Sequence, residues 1–235
     1  EKMPANLNVS APAIFAQTFW NAGETGGVWY NATCDTGVDI AHPALNGKTW
    51  WQGVFHATAS TDSTYNDNSS STDDLQGHGT HVAGIANSTD ATNRGISHGS
   101  SRSTNLKAGW RGTDGGGWMY PSDGMAAVHW GFSNATMHAI NLSFGGTATD
   151  DDAGYVRFWD AVADARSIIT TISAGNSGTG TNKLGLPSLS WNNICVANVD
   201  DRGTIARGDD VIWTSSSRGP TPGGRKKPDL AAPGR

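Results

Sequence analysis

The stretch Trp29-Tyr30-Asn31-Ala32-Thr33-Cys34-Asp35-Thr36-Gly37 reads as a strand that runs straight into an aspartate and a glycine turn. Residues 29–34 suit a buried strand, and the Asp-Thr-Gly after them is turn chemistry. An aspartate in that place is gripped on both sides. Outward from it, residues 79–87 read as a helix of small residues. Residues 123–134 read as an amphipathic helix with Met125, Val128 and Phe132 on one face. Residues 137–144 read as a strand, and residues 155–166 as a helix aligning Phe158, Val162 and Ala165. Residues 168–173 and 194–199 read as two further strands. Such alternation implies an α/β fold with a mostly parallel central sheet and helices on both faces. Functional groups in these sheets gather beyond the carboxyl ends of strands, here Asp35, Gly145 and Asn176.

The 235 residues suffice for one sizeable domain with its own core, and no internal repeat or second domain is visible. Only 36% of residues are hydrophobic and 31 are glycine, which implies long polar loops; ten tryptophans argue against disorder. A net charge of −5 without a basic stripe excludes a nucleic-acid partner as the expectation. No apolar run reaches the length of a membrane span, and no leader-like segment is visible at Glu1. Cys34 and Cys195 read as buried strand residues, and a chain of this size needs no disulfide between them.

Three loop motifs carry chemistry. In Cys34-Asp35-Thr36-Gly37-Val38-Asp39, Asp35 is a carboxylate able to orient an imidazole; the plainer reading is a turn aspartate that caps a helix. In Gly77-His78-Gly79-Thr80-His81-Val82-Ala83-Gly84, His78 opens a helix whose small residues permit close packing on the sheet. General-base work needs a histidine so placed. His78 and His81 could instead ligate a metal, but no third ligand accompanies them. In Ser173-Ala174-Gly175-Asn176-Ser177-Gly178, Asn176 can aim an amide at a developing oxyanion, or can simply make a turn.

The order Asp, His, Asn, with these surroundings, resembles the subtilisin family of serine proteases. Asn141-Leu142-Ser143-Phe144-Gly145-Gly146 resembles its substrate-strand segment. Ser216-Ser217-Arg218-Gly219-Pro220 and Lys227-Pro228-Asp229-Leu230-Ala231-Ala232-Pro233-Gly234 resemble the approach to its serine motif. The resemblance implies a three-layer subtilisin-like fold and an endopeptidase acting on proteins or peptides, secreted, with no cofactor in catalysis. It implies that Asp35 orients His78, that His78 is general base and then acid, and that Asn176 donates to the oxyanion. Ser143, Phe144 and Gly145 would pair with substrate backbone, and Ser173, Ala174 and Gly175 would wall the pocket beside the scissile bond.

Some positions depart from the family pattern. The Gly-Thr-Ser-Met-Ala segment expected after Ala-Pro-Gly is not among these residues, so the nucleophile is expected on a C-terminal segment outside this chain. The alternative is a non-catalytic, protease-like scaffold or binding module. Ser215, Ser216 and Ser217 stand where relatives carry structural serines. Ala44 follows His42-Pro43 where many relatives have an acidic calcium ligand, and Ser97-His98-Gly99 replaces Ala-Pro-Gly. A structural calcium would then rest on acidic runs such as Asp73-Asp74, Asp150-Asp151-Asp152, Asp200-Asp201 or Asp209-Asp210, with no site assigned and solvated loops as the plainer reading. Sequons occur at Asn8, Asn31, Asn68, Asn87, Asn134 and Asn141, of which Asn31 and Asn141 fall in expected strands.

Overall fold

A computed structural model describes residues 7–68, 70–147 and 150–234, so Arg235 lies outside the described residues. The helices are α1 (Leu7–Ala13), α2 (Ala16–Asn21), α3 (His78–Asn87), α4 (Pro121–Asn134) and α5 (Gly154–Arg166). The strands are β1 (Asn31–Asp35), β2 (Thr49–Val54), β3 (Arg102–Lys107), β4 (Gly109–Arg111), β5 (Gly117–Met119), β6 (Ala139–Leu142), β7 (Gly146–Thr147), β8 (Ile169–Ser173), β9 (Gly185–Leu186), β10 (Ile194–Asp200), β11 (Val211–Ile212) and β12 (Leu230–Pro233). The class is the expected α/β fold with a mostly parallel sheet. The chain divides into two compact units, Phe19–Asn141 and the residues on either side of it.

In the unit Phe19–Asn141, β3 pairs in parallel with β1 on one side and β2 on the other. Helix α3 packs on β1, and α4 packs across β1, β2 and β3. Sequence reading missed both β2 and β3. The reason lies in β3: Ser103, Thr104, Asn105 and Lys107 are polar, yet each is at most 1% exposed. Three of these side chains are paired with residues distant in sequence. Ser103 Oγ donates to Asn31 Oδ1 at 3.1 Å, Asn105 Nδ2 donates to Thr72 O at 2.9 Å, and Lys107 Nζ bonds Asp67 Oδ1 at 2.9 Å and the Asp73 carbonyl. Hydropathy cannot flag a strand whose inward side chains carry their own partners. The Lys107–Asp67 pair also organises the long loop before α3, since Asp67 Oδ2 accepts from Arg111 N–H at 2.8 Å. Both side chains are fully buried. Lys107→Ala is therefore expected to destabilise the fold by about 3–5 kcal/mol, because it strands a buried carboxylate. Denaturant unfolding measures this, and a loss below about 1 kcal/mol would contradict a structural ion pair here.

Helix faces also differ from the expected ones. In α4 the buried positions are Asp123, Gly124, Ala127, Val128 and Gly131, while Met125 and Phe132 are half-buried. A methyl placed at Gly131 would meet the end of the Met137 side chain at 2.6 Å, a contact that a methionine rotamer change can relieve. Asn87, at the end of α3, is fully buried and exchanges amide bonds of 3.0 Å with Asn31 in both directions. That burial removes Asn87 as a glycan acceptor.

In the other unit, β10 pairs in parallel with β8 and β12 and antiparallel with β11. The segment from residue 218 onward, Pro/Gly-rich and basic with no apolar periodicity of its own, supplies β12: Val196 faces Leu230, and Val199 faces Pro233. In α5 the buried residues are Val156, Trp159 and Val162, and Ala165 is exposed, so the inward face is set by the large Trp159. Val156 joins Ala174, Leu184, Leu189 and Cys195 in one apolar cluster. Through Ala174 this core anchors the Ser173–Asn176 loop.

Candidate active site

Asp35 is the last residue of β1 and is 1% exposed. Its Oδ1 accepts from Thr36 N–H at 2.8 Å, and lies 2.7 Å from His78 Nδ1 and 3.3 Å from Thr36 Oγ1. A carboxylate only accepts, so the bond places the ring proton on Nδ1 and the lone pair on Nε2. His78 opens α3, and its side chain is 41% exposed. The neighbouring Gly79 fixes the spacing: a Cβ there would sit 2.1 Å from Gly37 O and 3.1 Å from Asp35 Cβ. Any side chain at 79 would push the helix start, and the imidazole with it, away from Asp35.

Sequence reading placed Asp74 among the solvated acidic runs. It is instead the brace of this pair. Gly77, the residue before α3, makes no side-chain cap. Asp74 does that work from further back. Its Oδ1 accepts from Gln76 N–H at 3.0 Å, Gly77 N–H at 2.8 Å and Thr36 Oγ1 at 2.9 Å. Its Oδ2 accepts from Thr80 N–H at 2.8 Å and Thr80 Oγ1 at 2.7 Å. Thr36 Oγ1 in turn accepts from Gly79 N–H at 3.0 Å. One carboxylate therefore ties the turn after Asp35 to the helix that carries His78. The available signal was an acidic residue just ahead of a helix start.

Burial pulls the His78 imidazole down, but its hydrogen bond to Asp35, the Asp35 charge and the Asp74 charge outweigh this and hold it above its ordinary value. A base works in its neutral form, so a base with this imidazole would gain action with rising pH through that raised pKa. Asp74→Asn removes one of the stabilising charges and is expected to move the His78 titration to lower pH. It also weakens the cap, at a cost of about 1–2 kcal/mol. An NMR titration of the His78 ring, with and without the substitution, measures the shift; coincident curves would contradict the bracing role.

The second group of expected site residues lies in the other unit. Ser173 ends β8, Ala174 is buried, and Asn176 is exposed. The loop is clamped by main-chain bonds: Ala174 N–H to Val196 O at 2.9 Å, Gly185 N–H to Ala174 O at 3.1 Å, and Ser217 N–H to Gly175 O at 2.9 Å. Gly175 turns the chain with φ +101°, a conformation that L side chains avoid. Ser216 and Ser217 are buried and structural: Ser216 Oγ accepts from Asn198 N–H and Ser217 Oγ from Ser177 N–H, each at 3.0 Å. The strand expected to run through Phe144 ends at Leu142, so Ser143, Phe144 and Gly145 lie between β6 and β7 and belong to neither strand. There β7 pairs antiparallel with β9, and a Cβ on Gly145 would come 3.0 Å from Leu186 O. Segments 143–147 and 173–176 are thus both fastened to β9. The structure brings together Asp35 with His78 in one unit, and these two segments in the other.

A model of the subtilase family matches residues 32–235. The chain belongs to the subtilase family. This subtilase is 32% identical over 215 residues to Serine protease AprX of Bacillus subtilis (strain 168), covering 86% of this chain and 45% of that protein. It is 30% identical over 215 residues to Subtilisin of Bacillus sp. (strain TA39), covering 88% and 47%. The chain thus spans less than half the length of these curated relatives. Among solved structures, Prenylagaramide maturation protease PagA aligns at TM-score 0.68 with 18% identity, over 94% of this chain and 68% of that one. The S41 Psychrophilic Protease aligns at TM-score 0.63 with 26% identity, over 89% and 67%.

Other side chains of this subtilase offer less. Cys34 and Cys195 are free, buried thiols; burial pushes Cys34 far up and Cys195 up to about 11, so neither is a nucleophile. His81 is exposed and held below its ordinary value, first by burial and then by the His78 charge. Among the described residues no group of three or more His, Cys, Asp or Glu side chains could hold a metal ion. Several acidic runs are spent on internal bonds: Asp151 Oδ2 accepts from Thr221 Oγ1 at 2.7 Å, and Asp201 Oδ2 from Ser10 Oγ at 2.7 Å. Among the described residues no helix is long and apolar enough to cross a membrane.

Proposed function

We propose that this chain is the larger part of a serine endopeptidase domain that works outside the cell on protein or peptide substrates. Asp35 fixes the imidazole of His78. His78 takes the proton of a serine hydroxyl through Nε2 and later returns it to the leaving amine. Asn176 donates to the oxyanion, while Ser143, Phe144 and Gly145 pair with substrate backbone beside the walls at Ser173, Ala174 and Gly175. The serine comes from polypeptide that follows Lys227-Pro228-Asp229 and the β12 strand. Catalysis needs no cofactor in this scheme. The observation that carries it is the 2.7 Å bond between Asp35 and His78, in a chain whose family model spans residues 32–235.

The test is casein hydrolysis together with fluorophosphonate labelling of the protein that carries the serine segment. Labelling of one serine, and hydrolysis insensitive to EDTA, are expected. Absence of both would favour the scaffold reading, and EDTA-inhibited hydrolysis without any fluorophosphonate labelling a metal hydrolase. Asn176→Ala is expected to cut kcat by about 10²–10³-fold, the loss known for the same donor in subtilisin, with KM little changed. Steady-state kinetics on a peptide substrate read this directly; an intact kcat would remove Asn176 from the scheme.

A further inference from the structure

Asn46-Gly47, in the turn that leads from His42-Pro43 to β2, is the one asparagine–glycine pair of the sequence, and the proteolytic scheme uses neither residue. An asparagine side chain can lose its amide without an enzyme. The backbone nitrogen of the next residue attacks Cγ, the Cγ–Nδ2 bond breaks, and ammonia leaves. Water then opens the resulting succinimide at either carbonyl. One opening leaves aspartate; the other leaves isoaspartate, whose main chain runs through the former side chain. The folded structure decides which asparagine reacts. Its side chain must be free to swing back onto the main chain, and the next N–H must be free of a hydrogen bond.

Asn46 and Gly47 meet both conditions. Both residues are exposed. Asn46 N–H donates to His42 O at 2.9 Å, but among the described residues its side chain makes no hydrogen bond, and neither does Gly47 N–H. Gly47 has φ +87°, and a Cβ built there would meet nothing within 4 Å, so no neighbour obstructs the ring. The asparagines that precede serine are held differently. Asn87 is fully buried, exchanges amide bonds of 3.0 Å with Asn31, and is followed by Ser88 N–H on Gly84 O at 2.9 Å. Asn68 Oδ1 accepts from Ser70 N–H at 3.0 Å and Ser70 Oγ at 2.8 Å. Asn176 is exposed, but the nitrogen that would attack it is engaged, since Ser177 N–H donates to Ser217 Oγ at 3.0 Å.

We propose that Asn46 is a site of spontaneous covalent modification, where the folded chain, with water as the only co-reactant, converts this asparagine to aspartate and isoaspartate. The products differ in consequence. Either one places a new negative charge two residues before Lys48. Isoaspartate also adds a main-chain carbon between two anchored points. Leu45 is 1% exposed and packs with Val38 and Ala83. Lys48 Nζ donates to His98 O at 2.8 Å and to Ser100 O. The added length must therefore be taken up at the turn, just ahead of Thr49, whose N–H donates to Ser101 O at 2.9 Å where β2 begins. This chemistry stands whether or not the chain takes part in peptide hydrolysis.

The experiment holds the purified protein in mildly alkaline buffer, with a serine-protease inhibitor present, and maps its peptides over time by tandem mass spectrometry. Labelling with an isoaspartyl methyltransferase identifies the isoaspartate. Asn46 is expected to gain about one dalton, as an amide becomes a carboxyl, and to take the methyl label. The gain should quicken as the buffer is made more alkaline, because the attacking Gly47 nitrogen must lose its proton. Asn87 and Asn176 should keep their mass in the folded protein and convert in urea, where the bonds that engage Ser88 and Ser177 are gone. Asn46→Gln should remove both the mass gain and the label, since glutamine must close a larger ring, and should leave the thermal melt unchanged. Conversion of Asn68, Asn87 or Asn176 ahead of Asn46 in the folded protein would overturn the proposal. So would an Asn46 that converts only in urea, or a methyl label that persists in Asn46→Gln.

Discussion

His78→Ala is expected to lower peptide hydrolysis by about 10⁶-fold, the scale known for the equivalent loss in subtilisin, and to leave the fold intact. The physical reason is specific to the arrangement. An uncharged serine hydroxyl is a poor nucleophile until a base accepts its proton as the bond forms. His78 is held for that task by Nδ1 on Asp35 at 2.7 Å and by Gly79 at its back. In the proposed scheme, removing the ring removes the base and then the acid for the leaving amine. Little stability should be lost, because the side chain is 41% exposed and the α3 start is capped by Asp74 rather than by His78. Kinetics and a thermal melt on the same preparation separate the two effects. Activity within about tenfold of the parent protein would remove His78 from catalysis.

Asp35→Ala is expected to cost about 10⁴-fold in kcat, less than the loss of His78 itself. Without the carboxylate the ring loses its orientation, its Nδ1–H tautomer and the charge that steadies the imidazolium. The same change removes the largest influences that raise the His78 pKa, so the residual activity should persist to lower pH than in the parent protein. In the proposed scheme Asp35 and His78 act as one unit, so the double variant should be no slower than His78→Ala alone. Asp35 Oδ2 is buried without a hydrogen-bond partner among the described residues, so deletion of this side chain is also a test of stability. A pH–rate profile of the single variant that matches the parent would contradict the coupling.

The parts of the molecule legible in the sequence are those whose signal is local. The strand before Asp35, the small-residue helix after His78 and the Asn176 turn each announce themselves within about ten residues, the span over which periodicity and turn chemistry act. What stayed hidden depends on partners far along the chain. Strand β3 looks like a polar loop until Lys107 is seen to meet Asp67, and Asn105 to meet Thr72. Strand β12 is short and alanine-rich, and exists through its ladder with β10. The inward face of α4 carries Asp123, Gly124, Ala127, Val128 and Gly131, small or polar residues that a hydropathy pattern does not mark. Asp74 escaped for a related reason. An acidic residue in a Ser/Thr/Asp-rich loop reads as solvated, and only folding reveals that its two oxygens collect donors from Thr36, Gln76, Gly77 and Thr80. The residues proposed to react and the elements that carry them were visible in the sequence, and the Asp74 bonds that brace them were not.

A nitrogen-15 NMR titration of the His78 ring probes most directly whether Asp35 prepares this imidazole to act as a base. The structure predicts a neutral ring protonated at Nδ1, an Nδ1–H signal moved far downfield, and a midpoint above the ordinary histidine value of about 6.5. A neutral ring protonated at Nε2, titrating at or below that value, would contradict it.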